Sequence, residues 1–103
     1  MGTRAIIQVE GFTVCSLYKH YDGYPEATLA WLQAFNKKFA VEHGNDLPYK
    51  FAQLVRSSAF DCEEFNLDGS KITGWGIYPY YTYAGQDFEY LLKADGTVSY
   101  KEV

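Results

Sequence analysis

Between Leu17 and Glu26 the hydrophobic period of the chain changes, and that change restricts its folds more than any other feature. Before it, Ala5 to Val9 and Phe12 to Tyr18 read as strands. After it, Leu29, Leu32, Phe35, Phe39 and Ala40 recur on one side of a helix running from Pro25 to about Val41, with Thr28 and Trp31 bordering the stripe. Pro25 suits a first helical position, Glu26 favours the positive end of the helix dipole, and Gly23 lets the chain turn. Gly44, with Asn45 beside it, is the expected stop.

On either side of this helix the chain carries further elements. Glu10-Gly11 as a tight hairpin loop would set Val9 across from Phe12, Ile7 across from Val14 and Ala5 across from Ser16. That register leaves Ile6, Gln8, Thr13, Cys15 and Leu17 on a mixed second face. Asp46 is placed to cap a second helix whose stripe is Leu47, Phe51, Leu54, Val55 and Ser58. The segment Asp61 to Ser70 carries clustered acids and an Asp68-Gly69 turn, with Cys62 to Phe65 readable as strand or loop. Lys71 to Tyr78 returns to a strand pattern, interrupted by Gly74 and Gly76 and ended by Pro79. Phe88 to Lys93 and Val98 to Val103 flank Ala94-Asp95-Gly96-Thr97, a hairpin signal. The order is β-β-α-α-β-β-β. Each helix has one apolar stripe to bury, so the expected fold is α+β, a mainly antiparallel sheet with two helices packed on one face, over a single domain spanning 1–103.

Composition removes several function classes. No apolar run approaches the length of a membrane span, and Met1-Gly2-Thr3-Arg4 leads into a strand pattern rather than a secretory leader. With Cys15 and Cys62 read as reduced thiols, the expected location is cytoplasmic. Thirteen acidic residues oppose nine scattered basic ones, a formal charge of -4, and no basic stripe suits a nucleic-acid backbone. Cys15, His20, His43, Asp61, Cys62, Glu63 and Glu64 form no compact ligand pattern, so neither metal nor cofactor is expected.

The candidate chemistry lies at the junction and in one aromatic tract. Lys19, His20, Tyr21, Asp22 and Tyr24 put several kinds of polar side chain into a connection between elements, where binding groups are often displayed. His20 with Asp22 is the pair an enzyme would use for proton transfer, which makes a small hydrolytic or phosphoryl-directed enzyme the alternative reading. The bland reading makes them hydrogen-bonding groups at a corner. Lys19, His20 or Arg4 beside the helix N-terminus would suit a small anionic ligand, although Asp22 and Glu26 compete for the same donors. In the tract Trp75 to Tyr83, residues Trp75, Tyr78, Tyr80, Tyr81 and Tyr83 divide between core packing and a ligand or partner rim. An unpaired edge strand would also allow self-association.

Thr3-Arg4-Ala5, the His20-Tyr21-Asp22-Gly23-Tyr24-Pro25-Glu26 motif within Leu17 to Glu26, and Gly85-Gln86-Asp87-Phe88-Glu89-Tyr90-Leu91-Leu92 resemble a group of small uncharacterised proteins of bacteriophages, prophages and mobile elements. The resemblance covers both ends around a variable middle. It implies a setting in which a host protein is the partner, and it transfers no reaction, cofactor or catalytic residue. That group's usual Gly after Pro-Glu is Ala27 here, which favours regular helix. The leading expectation is a small noncatalytic binding or modulator protein.

Overall fold

A computed structural model describes residues 3–43, 46–58, 74–80 and 82–103. In chain order they form β1 (Ala5–Val9), β2 (Cys15–Lys19), α1 (Pro25–His43), α2 (Leu47–Ser58), β3 (Trp75–Pro79), β4 (Phe88–Leu92) and β5 (Val98–Glu102). Gly44, Asn45, the acidic Asp61–Ser70 segment with Cys62, the start of the expected strand at Lys71, and Tyr81 lie outside the described residues.

The five strands form one sheet in the order β3-β2-β1-β4-β5, antiparallel except that β1 and β4 run parallel. The fold is therefore α+β with a mixed, mostly antiparallel sheet. One face carries Ala5, Ile7, Val9, Leu17, Tyr90 and Leu92, which bury against Leu32 of α1 and Phe51 and Leu54 of α2. Leu29, Phe35, Leu47 and Val55 pack around that centre half-buried. Burying a Leu-sized side chain contributes roughly 1.5–3 kcal/mol, so this face carries much of the folding free energy.

The β1–β2 register differs from the tight-loop expectation. Ala5 pairs with Lys19, Ile6 with Tyr18 and Ile7 with Leu17. Phe12 leaves the ladder after a turn in which its N–H donates to Val9 O (3.0 Å), and its ring stacks on Phe51 at 5.1 Å. Burying that ring wins over extending the hairpin. The slip is by an odd number of residues, which exchanges the faces of β2. Cys15 and Leu17 turn toward the helices, while Ser16 and Tyr18 turn away.

Two polar residues also enter the core. Asn36, in the α1 stripe, donates from Nδ2 to Lys93 O (2.9 Å) and Thr97 O (2.7 Å), tying the β4–β5 hairpin to the helix. Lys50 is buried with its Nζ above the Phe39 ring (5.8 Å) and 3.5 Å from Lys93 O, and desolvation lowers its pKa while Glu10 and Asp95 oppose that. Asp46 caps α2 as expected, its Oδ1 accepting from Tyr49 N at 3.3 Å.

Candidate functional site

Strand alternation divides the junction between the two faces of the sheet. Lys19 shares the helix face with Ala5 and is 7% exposed. Its ammonium donates to Thr28 Oγ1 (3.3 Å) and lies over the Trp75 ring at 5.2 Å, where Trp31 meets Trp75 edge-on at 5.5 Å. Thr28 donates in turn to Asp22 O (2.9 Å), and Tyr90 Oη, reaching from β4, donates to Gly23 O (2.5 Å). Burial pushes the Tyr90 phenol up to about 12, outweighing the downward pull of the Thr28 hydroxyl. These contacts fix the entry to α1. Asp22 occupies the left-handed region (φ 56°), which its short polar side chain tolerates, and Gly23 passes so close to β1 that a Cβ there would lie 2.7 Å from Ala5 Cβ.

His20 lies on the other face. Its Nδ1 is 2.6 Å from Tyr18 Oη, its ring meets Tyr21 edge-on at 4.6 Å, and its N–H donates to Gly74 O at 2.8 Å. Gly74 is required beside it, with φ 82° and only 2.8 Å between an added Cβ and Tyr21 Cδ2. Tyr78 stacks on Tyr18 at 4.9 Å. The Tyr18 phenol is raised by burial; Arg4 pulls it back down, while Tyr78 and Tyr21 add to the rise. Ile6, Ser16 and Tyr18 are buried on this face, the one opposite α1 and α2. Residues 82–87 return across the end of the sheet here: Gly85 lies against the Arg4 guanidinium, and Gln86 Nε2 donates to Glu89 Oε2 (2.9 Å).

The residues expected to gather at the α1 N-terminus are thus separated: Lys19 lies under the first turn, Arg4 and His20 behind the sheet. Among the described residues no hydrogen bond joins His20 to Asp22, whose side chain is exposed. Tyr21 (55% exposed) and Tyr24 stand outward at the corner. The aromatic tract divides, with Trp75 and Tyr78 half-buried and Tyr80 and Tyr83 (70% exposed) outward. Among the described residues no group of three His, Cys, Asp or Glu side chains could hold a metal ion, and no helix is long and apolar enough to cross a membrane.

Sequence reasoning gave no site role to Tyr18, although it lies within the junction, nor to Thr28 or Tyr90. Tyr18 carried a usable signal: a strand places residues i and i+2 on one face, so the Tyr-x-His spacing of Tyr18 and His20 brings phenol and imidazole together. Tyr90 carried none, because its contact with Gly23 depends on β4 inserting beside β1. Comparison with known proteins adds no relative: no family model, curated protein or solved structure matches the chain.

Proposed function

We propose that this chain is a small noncatalytic binding or modulator protein that recognises a host protein through the corner bearing Tyr21 and Tyr24. The observation that carries this reading is the commitment of the Lys19 and His20 side chains to the fold while Tyr21 and Tyr24 face outward. Lys19 is held at Thr28 and Trp75, and His20 at Tyr18. Exposed tyrosines supply broad contact area with little side-chain entropy to lose on binding. The resemblance to phage and mobile-element proteins supports a bacterial protein as partner and a cytoplasmic setting, which the free thiol of Cys15 suits.

The test compares wild type, Tyr21→Ala combined with Tyr24→Ala, His20→Gln and Asp22→Asn for stability, for capture of a partner from bacterial lysate, and for turnover across a substrate screen. The double tyrosine variant is expected to keep its fold and lose the partner. Reproducible turnover abolished in both His20→Gln and Asp22→Asn, with folding intact, would replace this reading with an enzyme using those two residues.

A further inference from the structure

Arg4 has the exposure and charge of a ligand-binding group on the face that neither α1 nor α2 covers. It is half-exposed, and its backbone is fixed on both sides: Arg4 O accepts from Asp87 N (2.8 Å) and Phe88 N (3.2 Å), and Arg4 N donates to Asp87 Oδ2 (3.0 Å). The guanidinium passes close to Gly85, where an added Cβ would lie 2.9 Å from Arg4 Nη1. The β1–β2 pairing runs Ile6 to Tyr18 and Ala5 to Lys19. The ladder ends at that pair; continuing its register by one residue would set Arg4 across from His20, with Tyr18 on the diagonal, where directly opposed residues have Cβ atoms roughly 4.5–5.5 Å apart. Arg4 and His20 thereby share Tyr18 as a neighbour: Arg4 acts electrostatically on the phenol, and Tyr18 Oη lies 2.6 Å from His20 Nδ1.

The neighbouring acids are committed elsewhere. Asp87 accepts from the Arg4 backbone, and Glu89 accepts from Gln86 and pairs with Lys101 at 3.5 Å. Among the described residues no carboxylate forms an ion pair with the Arg4 guanidinium. Tyr18 Oη lies 2.6 Å from His20 Nδ1; with the phenol as donor, the ring hydrogen sits on Nε2, the nitrogen that can then serve an outside acceptor.

We propose that Arg4 and His20, with Tyr18 holding the imidazole in place, form an oxyanion-binding site for a carboxylate or phosphate group. The guanidinium presents a planar fork of donors that matches such a group, and His20 Nε2 adds a donor from the opposing strand. The chain is acidic overall, so this preference is local and acts at contact range rather than by long-range steering. The proposal rests on the binding reading above and deepens it by naming a group the partner carries.

The experiment is an NMR titration of the isotope-labelled protein with inorganic phosphate and, separately, sodium acetate, with sodium chloride holding ionic strength constant. Saturable shifts are expected at the His20 ring and the Arg4 side-chain N–H. Arg4→Gln should weaken the apparent affinity about ten-fold or more, His20→Gln should weaken it less, and Lys38→Gln, on the outside of α1, should leave it unchanged. Tighter binding of phosphate would assign the site to a phosphoryl group, and tighter binding of acetate to a carboxylate. Absence of saturation at about 50 mM, or binding undiminished in Arg4→Gln and His20→Gln, would overturn the proposal. If that occurred while the Tyr21 and Tyr24 double variant still lost its partner, the binding reading would survive without this site.

Discussion

Replacing Gly23 by Ala tests whether the junction is set by contact with the central strand. The added methyl would lie 2.7 Å from Ala5 Cβ and 2.9 Å from both Ala5 N and Arg4 C. Two of these three are backbone atoms of a strand paired on both sides, so they have little room to move. Overpacking of this kind typically destabilises by about 1–3 kcal/mol, and the stiffer unfolded chain returns about 0.4–1 kcal/mol of it. Relief by shifting the corner would stretch the Tyr90–Gly23 and Gly23–Thr3 hydrogen bonds, each with a net worth of about 1 kcal/mol. The expected net loss is about 1–3 kcal/mol, a fall in Tm of about 4–8 °C per kcal/mol for a domain of this size. Gly76→Ala is the internal comparison, because its added Cβ would meet Tyr18 Cδ2 at an ordinary 3.6 Å. It should be neutral or stabilising by up to about 1 kcal/mol. Urea unfolding of the three proteins decides the matter: equal midpoints for wild type and Gly23→Ala, or equal losses in both variants, would refute the close-approach argument.

Three further outcomes follow from the packing. Leu32→Ala, at a fully buried site against the sheet, should cost about 2–5 kcal/mol in equilibrium unfolding, and a loss below about 0.5 kcal/mol would remove Leu32 from the core. Asn36→Ala should cost about 1–3 kcal/mol by removing two hydrogen bonds, while Lys93 O and Thr97 O keep those from Gly96 N and Lys93 N, with faster amide exchange around the β4–β5 turn as its local signature. Tyr90 holds its proton more tightly folded than unfolded, so its contribution is fully present below pH 10 and is lost as pH rises toward about 12. Between those limits the stability advantage of wild type over Tyr90→Phe should shrink by about 2–3 kcal/mol, and a constant difference would contradict the burial of that phenol.

The helices and the order of elements were legible because their signals are local. Asp46 caps α2 and Pro25 opens α1 where the residues themselves predict. Pairing was less legible, because it is decided by contacts distant in the chain. Phe12 looks like a strand residue by its neighbours, yet its ring finds a better site on Phe51 of α2, and the register slips with it. That slip placed Leu17 and Lys19 on the helix face, while strand alternation sent His20 to the other, separating groups that adjacency in sequence had put together. The two helical stripes were drawn mainly from apolar residues and passed over Asn36 and Lys50, which bond carbonyls of a hairpin more than 40 residues later in the chain. The density of aromatics among Gly and Pro in Trp75 to Tyr83 left each one's side open; Tyr80 and Tyr83 are exposed, whereas Trp75 turned inward to cover the Lys19 ammonium.

The parallel pairing of β1 with β4 also orders events in time. Ala5 meets Phe88 and Val9 meets Leu92, so the central strand made first during synthesis cannot complete its ladder until the β4–β5 hairpin has been made. The β1–β2 hairpin and the two helices form from near neighbours, but until β4 arrives the hydrogen-bonding edge of β1 toward β4 stays open and the Tyr90 side chain is missing from beneath Gly23. Closing a contact over so long a stretch of chain places this step on the slow side of folding for a domain of this size. A nascent chain stalled before β4 would present the open edge of β1 to other strands, and the arrival of the C-terminal hairpin would remove that hazard and lock the corner in one step.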